Sequence, residues 1–154
     1  MYENGNGVTQ SYADSALWYR KAALQGDVLS KYRLSLLISL GLTPPLQDGE
    51  ANKWLAEAAE GGNRDAEYRW GWALLNGLQV AKSPDGGFMW IQKSAEAGNV
   101  EAMFRVAQCF DSGNGVKKDH AKAVEWYRRS ACQRVDAAIN ELRRQGIEVG
   151  VCSQ

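Results

Sequence analysis

Tryptophan stands at positions 18, 54, 90 and 126, a step of 36 residues each time. The surrounding segments are alike: WYRKAALQG, WLAEAAEGG, WIQKSAEAG and WYRRSACQR. A fixed period of this size marks stacked supersecondary units that cannot bury their apolar faces alone. It constrains the fold more than any composition value does.

Written in rows of 36, the chain shows several further columns. Glycine occupies 5, 41, 77 and 113. A second glycine column, Gly26, Gly62 and Gly98, breaks at Arg134, and the Asp27, Asn63, Asn99 column after it breaks at Val135. Small residues recur after each tryptophan at Ala22, Ala58, Ser94, Ser130 and at Ala23, Ala59, Ala95, Ala131. An aromatic–arginine pair recurs as Tyr32-Arg33, Tyr68-Arg69 and Phe104-Arg105.

Each column has a mechanical reading. Glycine accepts the left-handed conformation after a helix, and Asp or Asn caps the next helix by accepting from its free amides. The pattern predicts first helices over about 27–40, 63–76 and 99–112. Second helices start near Ser11, Asp48, Ser83 and Asp119, and Ser83-Pro84 reads as a cap with proline in the first turn. Small residues let neighbouring helices approach, and the tryptophans fill the space between units. "VDAAINELRRQG" at 135–146 reads as a capping helix, and "IEVGVCSQ" at 147–154 as a loose tail.

Charge narrows the function. Lys+Arg and Asp+Glu number 18 each, which provides no basic face for nucleic acid and no polybasic membrane anchor. No stretch has the roughly 18 apolar residues of a membrane span. No secretory signal is visible, which leaves cytoplasm and periplasm both open. Cys109, Cys132 and Cys152 are odd in number and off the period, so they read as incidental thiols, with a lean to a reducing compartment.

Chemistry-bearing constellations are absent from the pattern. The single histidine, His120, lies beside Asp119 at a helix start, with no cluster of metal-ligand spacing. "GNGV" at 5–8 and 113–116 lacks the Lys-Ser/Thr of a phosphate loop. No metal and no cofactor is expected, and no catalytic residue is assigned.

The repeat resembles the Sel1-like repeat, a relative of the tetratricopeptide repeat. "MYENGNGV", "WYRKAALQGD", "AEYRWGWALLNG", "AGNVEAMFRVAQ" and "GNGVKKDHAKAVEWYRRSA" carry the resemblance. It implies an all-α fold, a right-handed α-solenoid of antiparallel helix pairs. The expected layout is a single array over 1–146 with a tail over 147–154. Within it are a partial repeat at 1–26, repeats at 27–62, 63–98 and 99–134, and a capping helix at about 135–146. The loops "GLTPPL" and "GLQVAKSPDGG" depart from the usual Gly-x-Gly-Val. The cysteine pairs of cysteine-rich relatives are missing, so no bridge within a repeat is expected. The array begins in mid-repeat, with residues 1–5 resembling the last turn of a helix and the 11–25 helix lacking a neighbour.

The resemblance also implies a function. Tetratricopeptide arrays present their first helices on a concave surface, which here places Leu29, Tyr32 and Leu36, Asp65, Tyr68 and Trp72, and Glu101, Phe104 and Gln108 in a groove, with Arg33, Arg69 and Arg105 at its rim. Trp72 shares its column with Leu36 and Gln108, a mixture that a core position would not select, and aromatics with arginine make binding hot spots. The expected role is a non-catalytic scaffold or adaptor that holds a protein or peptide segment. Immunity against a bacterial toxin is the alternative within that class. A β-lactam-binding or β-lactam-hydrolysing enzyme is a weaker one, since no Ser-x-x-Lys motif is present. Self-association through the N-terminal face is a third.

Overall fold

The computed structural model describes residues 11–150 and Cys152. The expected helix end at 1–5 and the first GNGV loop at 5–8 lie outside the described residues. Eight α-helices and no strand are found among the described residues. They are α1 (Tyr12–Leu24), α2 (Val28–Ser39), α3 (Glu50–Glu60), α4 (Arg64–Asn76), α5 (Pro84–Glu96), α6 (Val100–Ser112), α7 (His120–Cys132) and α8 (Asp136–Arg144).

The helix starts follow the capping columns. The side chains of Ser11, Asp27, Asn99 and Asp119 each accept from the backbone N–H three residues on. Asn63 does the same for Ala66 N–H at 2.9 Å. The helices end as the glycine columns require, with Gly26, Gly62 and Gly98 at φ of +96°, +84° and +90°. Arg134 takes the same left-handed turn at φ +63°, so the position keeps its geometry where the residue type is lost.

Asp48 does not start α3. Gly49, at φ +75°, occupies the cap without a side-chain bond. Glu50, the first residue of the helix, turns its carboxylate back to accept from Leu46 N–H at 2.6 Å. Ser83 precedes α5 as expected, with Pro84 in the first turn, but its hydroxyl makes no capping bond.

The chain forms two compact units, residues 1–66 and 67–154. In the first, α2 packs between α1 and α3, around Ala16, Ala23, Leu34, Leu37, Ile38 and Trp54. A buried polar hub supplements this small core. Glu50, 5% exposed, accepts from Arg20 Nε at 3.0 Å and Nη2 at 2.8 Å and from Trp54 Nε1 at 3.0 Å. Burial raises the pKa of its carboxyl, and the bonds from Arg20, Leu46 and Trp54 outweigh that and hold it below the ordinary 4.5.

In the second unit, α6 lies between α5 and α7, and α8 closes on α7. Leu75, Phe88, Ile91, Val106, Phe110, Trp126, Tyr127 and Leu142 form the body of its core. Phe88 and Phe110 meet edge to face at 5.3 Å. The α4 and α5 backbones touch at two glycines: a Cβ on Gly71 would stand 2.7 Å from the Gly87 carbonyl oxygen, and one on Gly87 2.6 Å from Leu75 N.

Three expectations need correcting. The tryptophan column is not uniformly buried: Trp54 and Trp126 are 7% and 8% exposed, but Trp18 is 58% exposed, with Leu17 and Leu24 also open on the same helix. The described part of the tail, residues 147–150 and Cys152, is not loose. Ile147 N–H donates to the Leu142 carbonyl at 2.9 Å, Arg128 Nε donates to the Glu148 carbonyl at 3.2 Å, and Ile147 and Val149 pack on the core. The thiols are not all incidental, because Cys132 and Cys152 form a disulfide across 20 residues of chain. Only Cys109 is free, and it is buried.

Candidate interaction surface

The period that spaces the aromatic–arginine columns also brings them together. Tyr68 and Trp72 are four residues apart on α4, so they share one helix face. Glu101, Phe104, Arg105 and Gln108 occupy the corresponding face of α6. Inside the second unit these side chains form one connected cluster.

Arg105 is its centre. The guanidinium lies over the Trp72 ring at 4.5 Å and near Phe104 at 6.0 Å. Its Nε donates to the Tyr68 hydroxyl at 3.4 Å and its Nη1 to Gln108 Oε1 at 2.9 Å. The Tyr68 hydroxyl in turn donates to Glu101 Oε1 at 3.0 Å. Burial raises the Tyr68 pKa, and Glu101 pushes the same way against Arg105, so the phenol keeps the proton that this bond needs. Phe104 rests against Tyr127 of α7 at 5.7 Å.

Tyr68, Trp72, Phe104, Arg105 and Gln108 are all half-buried. Each packs partly on the core or on a neighbour and keeps part of its surface in solvent. The planar cation is stacked on an indole and bonded to two neutral acceptors of its own chain, so its place does not depend on a partner. Preorganised Arg and aromatic groups lose little entropy on binding.

The other predicted residues are placed as follows. Tyr32, Arg33 and Leu36 stand on α2 of the first unit, where Tyr32 is buried, Leu36 half-buried and Arg33 exposed. Arg69 is exposed on α4. Reading the columns reached Glu101, grouped with Phe104 and Gln108, but missed Tyr127, which joins through a cross-helix contact that no spacing announces. Among the described residues, no group of three His, Cys, Asp or Glu is arranged to hold a metal ion. His120 Nδ1 lies 3.0 Å from Asp111 Oδ1 on an exposed surface.

The profile of the family described as Sel1 repeat matches residues 1–27, 28–63, 64–99 and 100–135. The chain belongs to the Sel1 repeat family. Proteins with this repeat generally mediate protein–protein interaction, and the repeat is typically a non-catalytic scaffold.

Solved structures agree with the Sel1 assignment. A Sel1 repeat protein from Oxalobacter formigenes is 32% identical, with a TM-score of 0.81 over 90% of this chain and 56% of its own. The protein c5321, described as a protective antigen of uropathogenic Escherichia coli strains with this repeat fold, is 36% identical, with a TM-score of 0.84 over 92% of this chain and 31% of its own. This Sel1 chain therefore spans about half or less of the length of these two relatives. Cysteine-rich protein B of Helicobacter pylori, at 19% identity and a TM-score of 0.63 over 79% of this chain and 93% of its own, shares the fold. A search of curated proteins found no match. No helix among the described residues is long and apolar enough to cross a membrane.

Proposed function

We propose that this Sel1 repeat chain is a binding scaffold for a protein or peptide segment, and that Tyr68, Trp72, Phe104, Arg105 and Gln108 are its principal contact residues. The observation that carries this reading is the Arg105 guanidinium, stacked on Trp72 and bonded to Tyr68 and Gln108 on a partly open face. Arg69 extends the contact on α4, and Arg33 and Leu36 are the corresponding contacts of the first unit; Tyr32, expected beside them, is buried and serves packing instead. A buried core has no need of a half-exposed tryptophan under an arginine. A recognition surface does, because desolvated aromatic and Arg anchors carry most interface energy.

The test compares the wild-type chain with Trp72→Ala and Tyr68→Ala as bait in native extract. Calorimetric titration of the captured partner follows. Trp72→Ala should weaken binding by roughly 1–3 kcal/mol while circular dichroism and thermal midpoint stay close to wild type. Equal affinity in both variants, or loss of folding in parallel with loss of binding, overturns the assignment of these residues.

A further inference from the structure

The Cys132–Cys152 disulfide joins the last residue of α7 to the tail. It is unlike a buried staple in three respects. Cys152 is exposed and Cys132 half-buried, so a thiol can reach the bond. The tail it secures is otherwise held by the Ile147 and Glu148 backbone bonds and by the packing of Ile147 and Val149. Both half-cystines line an open cleft of about 650 Å³, which also includes Met103, Val124, Arg128, Arg129 and Val149.

The two sulfurs are inequivalent. Arg128 and Arg129 lie four and three residues before Cys132, so they share its side of α7. Their charges are engaged elsewhere, Arg129 with Glu125 at 2.7 Å and the Trp126 ring at 4.6 Å, and Arg128 with the Glu148 carbonyl at 3.2 Å, so access separates the two sulfurs. Cys152 is the more accessible of the pair. A thiolate attacks where access is best. Cys109 does not compete, because burial pushes its thiol up to about 11.

We infer that Cys132–Cys152 is a thiol-exchange site at which an incoming monothiol attacks Cys152 and releases Cys132 as the thiolate. In that step the new bond joins the attacking sulfur to Cys152 Sγ, and the Cys132–Cys152 bond breaks with its electron pair going to Cys132. The Cys132 thiolate can then attack the mixed disulfide, expel the monothiol and restore the original bond. A second equivalent of thiol instead releases Cys152 as a free thiol and carries away the oxidised monothiol. Opening the bond frees the tail beyond Glu148 and removes the Val149 wall of the cleft. The site is thus a redox-set modification point that also shapes a surface. It is independent of the aromatic–arginine cluster.

The oxidised full chain, incubated in glutathione buffers of graded ratio, acid-quenched, alkylated and mapped by mass spectrometry, tests this. The expected product, with circular dichroism unchanged, carries one glutathione on Cys152, an alkylated Cys132 and an unmodified Cys109. Cys132→Ser, which keeps Cys152, should still accept glutathione from its disulfide. The assignment is overturned by glutathione on Cys132, by exchange that requires denaturant, or by a purified chain whose two thiols are free in air.

Discussion

The two units share one 36-residue frame and are held together differently. The second closes on a broad apolar core that includes Ile91, Val106, Phe110, Trp126 and Leu142. The first has a small core and leans on Glu50, a buried carboxylate with four hydrogen bonds to Arg20, Leu46 and Trp54. Their surfaces differ as well. Leu17, Trp18, Leu24, Leu29, Leu40, Leu42 and Leu46 are exposed in the first unit, against Leu78 and Met89 in the second. The loop explains part of this. In the GNGV loop, Gly115 comes so close to α5 that a Cβ would collide with the Pro84 carbonyl. In the first unit the same column holds Thr43, followed by two prolines, and the loop 40–49 is tied down through Glu50 instead. A repeat frame dictates where helices start and stop, while the means of joining them is free to change.

The largest effect that can break this comparison lies in the tryptophan column. Trp126→Ala removes a buried indole from the apolar core and should cost about 3–5 kcal/mol. Trp18→Ala, at a 58% exposed position, should cost less than about 0.5–1 kcal/mol. Urea denaturation of both variants measures the difference. Similar losses would mean that the column acts uniformly and that the units are not distinct in packing.

Next is the polar hub. Glu50→Ala leaves the half-buried Arg20 without its carboxylate and should cost about 3 kcal/mol. The wild-type hub also has a pH signature. Its folded pKa is depressed below 4.5, so its contribution is complete above that value and is lost as pH falls through the lower folded value. Hydrogen exchange followed from pH 6 downward should show α1 and α3 losing protection before α6 and α7. Glu50→Gln should flatten that pH dependence. Simultaneous loss in both units would remove Glu50 as the cause.

Much of this was legible in the sequence. The 36-residue step located every helix, because caps and left-handed glycines are local chemistry that the residue types announce. Recurrence singled out Tyr68, Trp72, Phe104 and Gln108 as neighbouring positions, but it set Arg105 at their rim, and its central place over Trp72 was not legible. Long-range pairing was not legible either. Glu50 sits in a loop that breaks the pattern, and nothing local ties it to Arg20, 30 residues earlier. Cys132 and Cys152 are off the period, so spacing concealed their partnership.

A smaller effect separates the units through charge. Lys31 of α2 pairs with Glu57 of α3 at 2.9 Å, and the corresponding positions in the next repeat hold the reversed pair, Glu67 and Lys93, at 2.8 Å. One repeat later these positions are Met103 and Arg129, which both line the cleft beside α7. Glu67 is 2% exposed, and its Oε2 is buried without a hydrogen-bond partner. An orphaned carboxylate oxygen costs more than its single ion pair with an exposed lysine returns. Glu67→Met, which copies the next repeat, should therefore stabilise the chain by about 1 kcal/mol. Lys31→Met should destabilise it slightly, since Glu57 would lose its partner. Thermal melts that rank the two variants in the opposite order would show that Glu67 is stabilising as it stands.

The smallest effect concerns a single turn. Gly26, Gly62 and Gly98 end their helices in the left-handed region, and Arg134 does so at φ +63°. A residue with a Cβ pays about 1–2 kcal/mol for that conformation, and glycine pays none of it. Glycine also loses more backbone entropy on folding, which offsets part of the gain. Arg134→Gly should therefore stabilise the α7–α8 junction by about 0.5–1 kcal/mol. Gly98→Arg, the reverse change between α5 and α6, should destabilise by a similar amount. The two form a symmetric pair, so opposite shifts of similar size in denaturant midpoint attribute the effect to backbone conformation. A loss of stability in Arg134→Gly would show instead that the arginine side chain holds the junction by contacts of its own.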